Sequence, residues 1–314
     1  MTDLTDLTFE PQTFRDYVQA DVRKRSRFYQ SGAVVQSDIV VPNYGRTVTV
    51  PAWNGLGGEA EVLNDTAGLT PTALTTSAQV APILERGKLY SYNDLVATMT
   101  GSDPFGALAQ KLASFWAREY DRALVNSAVG AAGGIDAEDA GSVIEDGSSA
   151  AISASAIIQA RSLFGEYQDD ELFMVVHPKT YAAIQVAELT TLVPSADLQP
   201  IETFQGMPII VSSTLPVAAG SPDVYTSLIV RPGSFLEGMD NRPERMFEQD
   251  RDIVTGNNRF ATRSRFVIHP VGAAFDGSPA GDTASNAELA TAGNWGLGAE
   301  DENHFGVRVL THQI

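Results

Sequence analysis

The 314-residue chain has no cysteine. Disulfides, thiolate metal centres, iron–sulfur clusters and cysteine nucleophiles are therefore excluded. Histidine is scarce: His177, His269, His304 and His312 are the only four, and no two lie three or four residues apart. The paired-histidine zinc helix is thus missing. Positive charge is also short, with 21 Lys and Arg against 39 Asp and Glu, a net charge of −18. Such a surface is not built to coat phosphate backbones, because that binding displaces counterions with Lys and Arg. An anionic membrane is an equally poor partner. No apolar run reaches the roughly 18 residues that would suggest a spanning helix. Residues 1–11 are polar and acidic, unlike a secretory signal. No phosphate-cradling G-x-x-x-x-G-K-[ST] loop and no G-x-S-x-G elbow occur. The stretches Gly55-Leu56-Gly57-Gly58 and Gly293 to Gly298 lack dinucleotide-binding spacing. His177 and His269 each end an apolar strand before a proline and read as strand-end residues, not ligands. With so many carboxylates, any acidic pair is uninformative. No cofactor, metal site or catalytic residue is expected.

What is present describes shape. The chain is 43% hydrophobic, enough for a sizeable core, and carries 27 Gly and 16 Pro. Over residues 9–31, Phe14, Tyr17, Val18 and Val22 fall roughly on one side of a helix. Arg15, Arg23, Lys24, Arg25 and Arg27 make the only basic cluster. It reads either as a solvated face or as an arm that docks on an acidic neighbour. A second copy of this chain would supply one. From 36 to 92 helical periodicity is largely missing. Arg46-Thr47-Val48-Thr49-Val50 alternates as a half-exposed strand does. Turn residues at Pro42 to Gly45 and glycines at 55–58 interrupt the segment, and Gln79 to Tyr92 is extended again. This predicts a long β-ribbon with an open loop and little core of its own.

Asp103 and Pro104 then suit the start of a helix. Phe105, Leu108, Leu112, Phe115, Trp116, Tyr120 and Leu124 recur at three- and four-residue spacing, the stripe of a packed face. Gly130, Gly133 and Gly134 predict its end, giving a helix on the order of 39 Å. The Gly- and acid-rich stretch 131–150 is expected to be a mobile loop; its acids lack EF-hand spacing, and cation binding there is left open. From 151 onward the pattern is mixed, with helices at 151–165 and 179–189. Strands are expected at 172–176, 207–211, 225–230, 263–274 and 307–310. Arg242 to Asp252 is densely charged.

A basic arm, an uncovered ribbon and an oversized helix are each poorly self-contained. Open ribbon edges are usually protected in soluble proteins, and other copies of the chain could cover them. The order of elements resembles the major capsid protein of tailed bacteriophages, the HK97-like fold. The resemblance runs through Ser102-Asp103-Pro104-Phe105 with Phe115-Trp116-Ala117-Arg118, then Met174 to Tyr181, then Thr203 to Val211 with its G-x-P-[IV]-[IV] strand. It continues at Arg265 to Gly272, and at Asn286-Ala287-Glu288-Leu289 with Asn294-Trp295.

The resemblance implies an α+β fold: an N-terminal arm (1–31), an extended E-loop ribbon (32–92), and a peripheral domain with a spine helix (93–152). A mixed α/β axial domain (153–235), peripheral return strands (236–275) and a C-terminal segment (276–314) follow. It implies hexamers and pentamers of an icosahedral shell around double-stranded DNA that is not bound specifically. Portal, scaffolding and decoration proteins are the further partners it admits, and the virion capsid, assembled in the host cytoplasm, is the implied location. Assembly candidates are Arg15, Arg23, Lys24, Arg25, Arg27, Trp53 and Lys88. The capsid-like pattern starts almost at Met1, leaving little room for a cleaved scaffolding segment. Some family members cross-link through Lys and Asn. Of Lys24, Lys88, Lys111 and Lys179 only Lys88 lies near the ribbon, and no such bond is expected. An encapsulin-type compartment, or a carboxylate-dependent hydrolase of a different class, are the alternatives.

Overall fold

The computed structural model describes residues 11–37, 39, 41–42, 45–54, 60–61, 69–93, 99, 104–193, 201–240, 247–252, 254, 256–299 and 301–314. Helices α1 (Pro11–Arg25) and α2 (Arg27–Gln30) lead into β1 (Val34–Gln36) and the hairpin strands β2 (Thr47–Trp53) and β3 (Thr76–Pro82). Then come β4 (Leu84–Asn93) and the long helix α3 (Pro104–Glu138). A second unit follows with β5 (Ile144–Ala151), α4 (Ala154–Ser162), β6 (Phe173–Val176), α5 (Pro178–Val186), β7 (Thr191–Val193), β8 (Ile201–Phe204), β9 (Met207–Val211), β10 (Val217–Ala218) and β11 (Val224–Val230). The chain returns through β12 (Phe235–Met239), β13 (Phe247–Asp252), β14 (Asn257–Pro270), β15 (Ala273–Phe275), α6 (Asn286–Leu289), β16 (Trp295–Leu297) and β17 (Val307–Gln313).

Two larger sheets organise these elements. In the five-stranded sheet the order is β1-β12-β14-β13, with β4 also on β14. The eight-stranded sheet runs β5-β17-β11-β6-β9-β8-β7, with β10 on β11. Because side chains alternate across a strand, the central strands of the larger sheet serve two cores. Phe173, Val175, Leu228, Val230, Val307 and Val309 join the core around α3. Their sequence neighbours Met174, Val176, Ile229 and Leu310 pack with Ile157 and Ala160 of α4 and Ile184 of α5. This double burial is why the sequence reads as unbroken apolar runs there.

In the apolar stripe of α3, Leu112, Trp116, Tyr120 and Leu124 are core, as expected, with Leu108 and Phe115 half-buried beside them. Trp116 donates from Nε1 to Thr262 Oγ1 at 2.9 Å, and the Tyr120 hydroxyl meets Ser264 Oγ at 2.7 Å, both on β14. The end of α3 differs from the sequence reading. Its 35 residues run through Gly130, Gly133 and Gly134 to Glu138, about 51 Å at 1.5 Å per residue. A Cβ on Gly130 would lie 2.0 Å from the Leu289 carbonyl oxygen, and one on Gly134 2.3 Å from that of Trp295. These glycines therefore seat a crossing chain instead of ending the helix. The expected mobile loop at 131–150 is likewise helix to Glu138 and strand from Ile144. Asp136 Oδ1 accepts the backbone N–H groups of Gly141, Val143 and Ile144 at 3.1, 3.1 and 2.9 Å, fixing the turn between them. The expected 263–274 strand is β14 followed by a separate β15. Asp103, proposed as the helix cap, lies outside the described residues.

Candidate assembly surfaces

The N-terminal helices are tied to the body by one half-buried and one buried carboxylate, Asp121 and Glu237. Val18, Val22 and Phe28 enter the main core. Ser26 caps α2 and donates to Asp121 Oδ1 of α3 at 2.5 Å. Burial pushes the Asp121 carboxyl up to about 6. Three residues on, the Tyr29 hydroxyl donates to Glu237 Oε1 of β12. Arg23 approaches the same carboxylate at 3.6 Å, and Glu237 is only 2% exposed. Burial raises the Glu237 pKa in spite of these partners. The basic cluster thus divides by role. Arg23 holds Glu237, and Arg25 pairs with Asp21 at 2.7 Å while donating to Ser114 Oγ at 3.0 Å. Lys24 and Arg27 point to solvent, and the Arg15 side chain lies outside the described residues.

The hairpin is the opposite case. β2 and β3 pair from Thr47↔Pro82 to Trp53↔Thr76. Among the described residues its cover lies at the base: Ala81 packs with Val41, Ile83 and Val267, and Val48 and Val50 lean on that cluster. Gln79 Oε1 accepts from the Gly272 N–H at 3.1 Å, and Arg46 reaches Asp282 at 3.5 Å. Farther out the apolar side chains are bare, with Trp53 70%, Leu69 66% and Leu74 54% exposed. β4, expected to continue the ribbon, instead pairs with β14 over Leu84–Asn93. Lys88, opposite Thr262 in that pairing, is therefore an exposed residue of the five-stranded sheet. The candidates Trp53, Lys88 and the arm cations stand on separate elements, and no single site gathers them among the described residues.

A cleft of about 840 Å³ lies between α2 and the second unit, lined by Arg27, Gln30, Arg161, Asp170, Glu171 and Met207 among others. Its polar groups are mixed in sign, without a nucleophile beside a base. Among the described residues no group of three or more His, Asp or Glu could hold a metal ion, and no helix is long and apolar enough to cross a membrane. His177 caps α5, its Nδ1 accepting from the Lys179 N–H at 3.2 Å. His269 is fully buried against Trp295, and desolvation lowers its pKa to about 4. His312 meets Ser227 Oγ at 2.9 Å, but at 0% and 1% exposure neither side chain can reach a substrate.

Sequence reasoning missed Asp121, Glu237 and Arg308. Arg308, fully buried, donates to the carbonyls of Leu163, Phe305 and Val307 and lies 4.7 Å from the Phe164 ring. Burial lowers its pKa to about 10. An isolated charge inside an apolar strand, Val307-Arg308-Val309, was the available signal.

A family model described as "Phage capsid protein" matches residues 75–281. The major capsid protein of Bacillus phage SPP1 is 29% identical over 294 residues, covering 91% of this chain and 90% of that protein. The capsid of Ralstonia phage GP4 superposes with a TM-score of 0.60 at 11% identity, covering 92% of this chain and 91% of that one. The head structure of Helicobacter pylori bacteriophage KHP40 gives 0.58 at 9% identity, with 92% and 90% covered. The architecture, a long helix against a sheet, an outlying hairpin and a second mixed α/β unit, is the HK97-like capsid fold. The chain belongs to the phage capsid protein family.

Proposed function

We propose that the chain is a major capsid protein, self-assembling into the hexamers and pentamers of an icosahedral shell around the double-stranded DNA of a tailed phage. Its role is structural, without an active site. The observation that carries this reading is the β2–β3 hairpin, whose apolar Trp53, Leu69 and Leu74 stay more than half exposed. Each large side chain buried against a neighbour contributes about 1.5–3 kcal/mol. The hairpin acts as the E-loop, α1 and α2 as the arm, α3 as the spine, and the eight-stranded sheet with α4 and α5 as the axial domain. Within the arm, Lys24 and Arg27 are exposed cations without a carboxylate partner among the described residues, and Arg15 in the arm and Lys88 on the five-stranded sheet are the further candidates. The shell belongs to the virion and assembles in the host cytoplasm. Portal, scaffolding and decoration proteins are its further partners.

The charge of −18 suits a container. A wall of one sign keeps packaged DNA loose, with repulsion screened beyond roughly 8–10 Å at ordinary salt. Negative-stain imaging of the expressed chain tests the reading: shells or capsomers are expected, and a uniformly monomeric field would contradict it. In the Trp53→Asp variant shells should be lost while the subunit stays folded.

A further inference from the structure

The exposed charges on α3 are segregated along its length, bases toward the middle and acids at its end. An α-helix favours acids in its first turn and bases in its last. Here the first turn has no acid and the last no base. Instead Lys111, Arg118 and Arg122 stand exposed between its eighth and nineteenth residues. Glu138 and Asp139 stand exposed at its end, and no Lys or Arg occurs between Arg122 and Arg161. Residues seven and eleven positions apart share a face, so Lys111, Arg118 and Arg122 form one ridge. The arm adds to it. Arg25 donates to Ser114 Oγ at 3.0 Å, while Arg118 donates to the Ser114 carbonyl at 3.2 Å, so two cations meet at one residue of α3. Exposed Lys24 adjoins them in sequence. Asp21 engages Arg25, and Glu119 engages Arg122. Among the described residues no carboxylate pairs with Lys24, Lys111 or Arg118. From Arg118 to Glu138 is about 30 Å along the helix. That is several screening lengths at physiological salt, so the two ends cannot neutralise each other within one chain.

Resting on the shell reading above, we propose that the basic ridge of α3 and the arm seats the acidic end of α3 from an adjacent copy, head to tail. The occupant is a second copy because the complementary charge lies on this same helix, displaced along it. A head-to-tail contact between unlike surfaces closes into rings when the rotation allows, which is what capsomers need. It also gives a chain of −18 a local attraction against its self-repulsion.

The test is a charge exchange, read as the critical concentration for shell formation. K111E/R118E and E138K/D139K should each raise it at least about tenfold, a change of about 1.4 kcal/mol. Carrying both exchanges in one chain should return it to near the wild-type value. Moderate salt, about 0.5 M, should narrow all these differences. Thermal melts establish that each variant folds, and K111Q/R118Q replaces the reversal should it not. Either single exchange assembling as wild type overturns the pairing, as does a combined variant no better than the single ones. A wild-type chain that never assembles overturns the shell reading itself, and the pairing with it.

Discussion

The long helix and the β2–β3 hairpin are both oversized, yet they meet solvent in opposite ways. α3 is enclosed along much of its length: Leu112, Trp116, Tyr120, Leu124, Ala128 and Ile135 are nearly or fully buried. Its glycines let the 289–295 segment press against it at backbone distance. The hairpin, among the described residues, is anchored at its base and carries apolar side chains beyond that are more than half exposed. Stability is therefore concentrated in one element, while the other is held in readiness for contacts the single chain does not provide.

That contrast can be broken most severely at the glycine seat. Alanine should help a helix by roughly 1 kcal/mol over glycine, but Gly130→Ala places its Cβ against the Leu289 carbonyl. The clash should win, lowering subunit stability by about 3 kcal/mol or more in denaturant titrations.

Next in size, pH should pull the two sides of the body apart. Asp121 is lifted to about 6 in the folded chain. Its favourable contribution is full below the unfolded carboxylate value and disappears as pH rises through 6, a change of about 2–3 kcal/mol. His269, lowered to about 4 by burial, works in reverse. Its contribution is full above the unfolded imidazole value and is lost as pH falls from about 6.5 towards 4. Unfolding midpoints across pH 4–8 should lose the first slope in Asp121→Asn and the second in His269→Asn.

A smaller effect belongs to the arm. Tyr29→Phe removes the hydroxyl that donates to buried Glu237 and should cost about 1–2 kcal/mol, seen as faster proteolysis within 11–31. Smallest of all is Trp53→Ala. At 70% exposure it should change isolated-subunit stability by less than about 0.5 kcal/mol, while shell yield falls sharply. A large loss of stability in that variant would mean that the hairpin packs on its own body.

The body was legible because its patterns are local. The 3.6-residue stripe from Leu108 to Leu124 and the apolar runs at 173–176 and 224–230 announce their elements without knowledge of partners. The end of α3 was not legible, since glycine stops a helix or admits a crossing chain according to what lies beside it, and Leu289 and Trp295 are more than 150 residues away. The division of the ribbon was hidden for the same reason: Gln79 and Tyr90 look equally extended, but one pairs within the hairpin and the other with β14. In the arm, composition revealed the cations but not that Arg23 is committed to a carboxylate 214 positions on. Asp121 and Glu237 were invisible, because nothing local marks an acid that a distant segment will cover.

Hydrogen exchange along β2 and β3, compared between isolated subunits and assembled shells, addresses the hairpin most directly. Amides of Thr47–Trp53 and Thr76–Pro82 away from the base should exchange readily in the subunit and slow by at least about tenfold in the shell, while those of the second half of α3 stay protected in both. Equal protection of the hairpin before and after assembly would show that it needs no neighbour.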